Sequence, residues 1–268
     1  DLSEIYQNLI DAIGDKTSRF PELSRVQSAD LVAGYSKRSN RILIEEKAIA
    51  VCERFGDQSE DAIAFLLAHE LTHFYQKHTW EEANFGFLMT KERFQETVSI
   101  EREADTYGAF LLHLARYKID VIPEIIPALY EEYDLLDQNL QGYPSLKERQ
   151  SVAYDVCKRV ANLIQIFETA NYLFAVGQFG EAAMSYEYLL NFVQCKELYA
   201  NLGAACVAAV ATSTQRGKQN FIYPISVDAN FPIRDASGFE RAELIEKALQ
   251  NLKKAVTYDP TYYDAFIN

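Results

Sequence analysis

Apolar residues recur at helical spacing along most of the chain, interrupted by one short strand-like stretch near the N-terminus. Ile5, Leu9, Ile10 and Ile13 predict a helix over Ser3 to Ile13, closed by Gly14. After Pro21 the period changes. Leu31 to Tyr35 and Ile42 to Ile44 predict two short strands around the polar turn Lys37-Arg38-Ser39-Asn40, a hairpin and hence a small sheet. Asp57-Gln58-Ser59-Glu60 resembles a capping box and opens a helix expected over about Ser59 to Lys77. Its Ala62, Ile63, Phe65, Leu66, Leu67, Leu71 and Phe74 form a stripe broad enough for a helix buried on most sides. A second long helix is expected over about Thr90 to Tyr117. Ile122 to Leu136 follows, with Pro123 and Pro127 starting or breaking helices, and the turn at Gly142-Tyr143-Pro144 leads into another.

From about Ser151 the pattern becomes aromatic- and Ala-rich helical periodicity, which marks a domain boundary. The expected organisation is a mostly helical α+β domain with a small sheet over residues 1–160, then an all-α domain over 161–268. With 268 residues, 49% of them hydrophobic, the chain has material for two cores. The net charge of -13 argues against nucleic acid or an anionic membrane surface as partner. No apolar run reaches the roughly 18–20 residues of a membrane span. Cys52, Cys157, Cys195 and Cys206 lack metal-type spacing and read as buried free thiols. The first residue is Asp1 rather than Met, which leaves room for a removed signal peptide or lipid anchor and for an exported, envelope-associated protein.

The candidate chemistry sits inside the broad apolar helix, at His69-Glu70-Leu71-Thr72-His73. Residues four apart stack on one helix face, so His69 and His73 can offer ring nitrogens to one Zn2+. Glu70, beside His69, can act on water without ligating the metal, the arrangement of a zinc hydrolase. Burying these three polar side chains is costly unless a metal pairs with them. In the next long helix, Glu101 and Asp105 are also four apart. Glu101 is the candidate third ligand, with Glu96 and Glu103 as weaker ones. Asp105 can accept a hydrogen bond from the distal nitrogen of a ligating histidine. The competing reading of Glu101 to Asp105 is a solvated acidic face. His113 reads as structural, and His78 points away from the pair.

With these residues assembled, the first 160 or so positions resemble the gluzincin peptidases. That group contains the CAAX prenyl endopeptidases, the HtpX heat-shock proteases and the BepA-type periplasmic proteases. His69-Glu70-Leu71-Thr72-His73 matches the zinc helix, and Glu101 to Asp105 matches the group's Glu-x-x-x-Asp. Tyr143-Pro144 followed by Arg149 is similar to its His-Pro-x-x-x-x-Arg element, with Tyr where the group has His. The resemblance implies a zincin-like catalytic domain acting on protein or peptide substrates. It implies His69, His73 and Glu101 as ligands, Glu70 as base, and Asp105 behind a histidine. Arg149 can then orient Asp105 or Glu101. Tyr143 is open between an oxyanion donor, a cap on the metal and a packed turn residue.

The remainder resembles tetratricopeptide repeats. Gly177, Phe179, Ala182 and Tyr186 have the spacing of one repeat; Leu202-Gly203 opens the next, with Ala248, Leu252, Ala255 and Pro260 in its second helix. Between them, residues 212–238 are expected to be an insertion. Such repeats imply a surface for substrate or a protein partner. The expectation overall is a zinc endopeptidase carrying helical repeats. The rival is a scaffold whose zinc domain is idle or autoinhibited.

Overall fold

The computed structural model describes residues 1–27, 32–75, 94–134, 146–213 and 241–268, and they divide into two compact units. The first comprises Asp1–Ile13 and Arg19–Asn162; the second comprises Gly14–Ser18 and Leu163–Asn268.

In the first unit, helix α1 (Leu2–Ile13) buries Leu2, Ile5, Tyr6, Leu9 and Ile13, the face its spacing dictates. It ends at Gly14, whose φ of +69° is the left-handed conformation that glycine adopts without steric cost. Strands β1 (Glu22–Val26), β2 (Ala33–Ser36) and β3 (Arg41–Glu45) form one sheet in the order β1-β3-β2. β2 and β3 are the expected antiparallel hairpin, with Tyr35 opposite Ile42. β3 is central, and its alternating Ile42 and Ile44 are fully buried. β1 pairs parallel to β3 and carries little alternation in Glu-Leu-Ser-Arg-Val, which is why the pattern gave no sign of it.

Helix α2 (Glu46–Glu53) follows directly, and a 3-10 turn at Gly56–Gln58 feeds α3 (Ser59–Tyr75). Ser59 already has helical dihedrals, so the chain enters α3 through that turn. α3 buries residues around its whole circumference, including Ala64, Leu67 and Leu71 at the centre of the core. α4 (Phe94–Leu114) packs along it and contributes Ala104, Phe110, Leu111 and Leu112. α5 (Ile122–Glu132) has Pro123 in its first turn, where no donor is lost, and accommodates Pro127 inside. α6 (Leu146–Ala175) runs through the division at Asn162.

The second unit contains the rest of α6 with α7 (Phe179–Leu189), α8 (Lys196–Ser213), α9 (Arg241–Tyr258) and α10 (Tyr263–Ile267). Gly177, at φ +81°, turns the chain from α6 into α7. Phe179, Ala182 and Tyr186 are buried there, and the Tyr186 hydroxyl donates to Asn171 at 2.7 Å. α8 and α9 pack closely, with Gly203 against Leu252 and the Ala248 carbonyl. The helical pairs agree with the expected all-α class. α8 is still helical at residues 212–213, and the rest of the expected insertion lies outside the described residues.

Residues 14–18 dock within this second unit. The Lys16 N–H donates to the Tyr258 carbonyl at 2.8 Å. Asp259, 1% exposed, accepts from Lys16 Nζ at 3.1 Å and Lys196 Nζ at 3.2 Å. Its other oxygen takes the Thr261 N–H and hydroxyl at 2.9 and 2.7 Å. Burial opposes ionisation of Asp259, but these donors outweigh it and hold its carboxyl well below the usual range. All four cysteines are free thiols.

Candidate metal centre

α3 and α4 lie side by side, and their facing turns bring His69, His73 and Glu101 together. One ligand atom from each lies within 4.8 Å of the others. His69 Nε2 is 3.1 Å from His73 Nε2 and 3.1 Å from Glu101 Oε2; His73 Nε2 is 3.5 Å from Glu101 Oε1. The spacing of four residues on α3 stacks the two rings, whose centroids are 4.8 Å apart. The surrounding helix is apolar, and His73 is only 2% exposed.

His69 Nδ1 lies 2.8 Å from Asp105 Oδ1, a contact that favours the proton on Nδ1 and turns Nε2 towards His73 and Glu101. Asp105 is 1% exposed, and Arg149 of α6 donates to its other oxygen at 2.9 Å. Burial would raise the Asp105 carboxyl, but Arg149 and His69 outweigh it and keep the group ionised. Glu101 behaves alike: burial raises it, while hydrogen bonding and charge from His69, then His73 and Arg149, bring it down to about 2. Burial disfavours a charged His69, yet the two carboxylates beside it raise its pKa well above the ordinary value. Two imidazole nitrogens and a carboxylate facing one point need a cation among them, a proton or a metal. A borderline-soft divalent ion suited to nitrogen and oxygen donors fits this set.

Glu70, next to His69 on α3, is 6% exposed. It accepts a hydrogen bond from the backbone N–H of Tyr35 in β2, while its Oε2 has no partner among the described residues. Burial, the dominant effect, pushes its carboxyl up to about 7. A base of that strength is poised to gain and lose a proton near neutrality.

Residues 1–99 match the model of Peptidase family M48. That match includes His69, Glu70 and His73 and stops two residues short of Glu101. It supports a metallopeptidase of the M48 type for the first unit. No curated protein and no solved structure matches the chain.

The structure therefore brings His69, Glu70, His73, Glu101, Asp105 and Arg149 into one locality. Arg149 touches Asp105 rather than Glu101. Glu103 is exposed and takes no place beside the histidines, and His113 lies against Phe110 at a centroid distance of 6.3 Å. Tyr143 and His78 lie outside the described residues, as does the Glu96 side chain. The Tyr35 N–H was not legible in advance: a backbone donor leaves no mark on the amino-acid pattern.

Proposed function

We propose that the chain is a zinc-dependent endopeptidase whose first unit hydrolyses peptide bonds and whose second unit binds substrate or a protein partner. The observation that carries this reading is the convergence of His69, His73 and Glu101 beside the buried Glu70. His69, His73 and Glu101 would hold Zn2+, which supplies a Lewis acid that acidifies water and polarises a carbonyl. Asp105 fixes the His69 tautomer, and Arg149 keeps Asp105 ionised and in place. Glu70 takes a proton from the water that attacks the scissile carbonyl carbon. It returns that proton to the leaving amine as the carbon–nitrogen bond breaks. Tyr143, by its resemblance to the group's His-Pro-x-x-x-x-Arg element, would supply a phenol donor to the developing oxyanion. Tyr143→Phe is then expected to cut turnover by roughly a hundredfold.

The test is metal content and peptide hydrolysis on the same preparations. The wild type should carry about one zinc per chain, as a His-His-Glu ligand set implies. His69→Ala and Glu101→Ala should lose both zinc and turnover. Full zinc occupancy in Glu101→Ala would remove it from the ligand set, and a metal-free wild type with full activity would end the reading.

A further inference from the structure

Glycine is, after proline, the poorest residue in a helix interior, yet Gly108 lies buried within α4. A Cβ built there would stand 3.1 Å from the His69 backbone nitrogen, 3.2 Å from the Ala68 carbonyl carbon and 3.3 Å from the Ala68 oxygen. All three are main-chain atoms of α3, so no side-chain rotation relieves the approach. Glu101, Asp105 and Gly108 fall at i, i+4 and i+7, one face of α4. The backbone met by Gly108 is the Ala68–His69 peptide, and the His69 ring contacts both Glu101 and Asp105.

We infer that Gly108 is a positioning residue for the metal centre: its missing side chain sets the distance between α3 and α4 at which Glu101 and Asp105 reach His69. Metal sites tolerate errors of about 0.2 Å in ligand distance. A methyl group at 108 requires α4 to withdraw from α3 by a few tenths of an ångström, carrying Glu101 and Asp105 with it. α3 keeps both histidines and Glu70 on one rigid helix, so the separation that changes is that between α3 and α4. Fold and site consequently respond differently. Alanine is the better helix former, so α4 itself is not weakened, whereas the ligand set is stretched across the helix pair.

This inference rests on the zinc-centre reading. The experiment compares wild type, Gly108→Ala and Leu112→Ala by zinc affinity in chelator competition, by the visible spectrum of the cobalt-substituted protein and by thermal unfolding. Leu112 is fully buried one turn further along α4, and its truncation removes packing without pushing the helices apart. Gly108→Ala should bind zinc roughly ten- to a hundredfold more weakly, the range for groups behind the ligands. Its cobalt spectrum should shift while its melting temperature stays near that of the wild type. Leu112→Ala should melt at a lower temperature with unchanged zinc affinity and spectrum. Unchanged affinity and spectrum in Gly108→Ala, with a wild type that binds zinc, would overturn this inference alone. A Gly108→Ala chain that does not fold would make Gly108 a determinant of the fold and also overturn it. Equal loss of affinity in Leu112→Ala would do the same. A wild type that takes up no zinc would overturn the centre and the inference together.

Discussion

Glu70→Gln should make the metal-free protein more stable while abolishing its proposed chemistry. The buried carboxyl titrates at about 7 in the fold against 4.5 ordinarily. At ~1.4 kcal/mol per tenfold, holding it ionised costs the fold about 3 kcal/mol. The folded state keeps its proton where the unfolded state has released it, so this contribution to stability falls as pH rises from 4.5 to about 7 and levels off above. Glutamine fills the same space without titrating. The chelator-treated variant should therefore exceed the wild type by up to about 3 kcal/mol at pH 8, or roughly 6–12 °C in melting temperature. The gap should close towards pH 4.5. Zinc uptake should persist, because Glu70 is not among the three converging donors. Peptide turnover should fall by roughly 10²–10⁴-fold, the range for losing a general base. Calorimetry of both chains at the two pH values, with a peptide assay on the zinc-loaded forms, decides the matter. A variant no more stable than the wild type at pH 8, or one that still turns over substrate normally, would refute the reasoning.

Asp105→Asn should weaken zinc binding by roughly ten- to a hundredfold by releasing the His69 tautomer and weakening the Arg149 contact, measured by chelator competition. Asp259→Asn should cost the second unit about 2 kcal/mol, since a buried charged acceptor loses strength towards four donors; denaturant titration reads it. Because the Asp259 carboxyl is held low, its contribution is present above the ordinary carboxylate pKa and is lost as pH falls through the lowered one. The variant's deficit should therefore shrink in acid. Gly203→Ala places a methyl 2.6 Å from Leu252 Cγ and should lower stability by about 1 kcal/mol, net of the helix-propensity gain, by the same titration.

Much of the centre was readable because its spacing is local. His69 and His73 stack by helix geometry alone, and Glu101 with Asp105 repeats the same interval on a second helix. Which carboxylate faces the histidines is a tertiary fact, settled by the packing of α3 on α4. Arg149 illustrates the difference: its contact spans 44 residues, and only the fold selects Asp105 over Glu101. β1 escaped because a parallel partner reads no turn signal and its own side chains barely alternate. Gly108 was visible as a glycine within a predicted helix, but nothing in the pattern says which backbone it meets.

The docking of Gly14–Ser18 among the second unit's residues bears on how the chain can be divided. Ile13 before it and Arg19 after it both belong to the first unit, so the polypeptide passes between the units three times rather than once. Cutting after Asn162 would separate Lys16 from Tyr258, Asp259 and Thr261, leaving a five-residue loop whose Lys16 has its hydrogen-bonding partners on the discarded piece. The second unit is thus a two-segment assembly, Gly14–Ser18 with Leu163–Asn268. A recombinant version of it would need a peptide bearing Lys16 supplied in trans or fused by a designed linker.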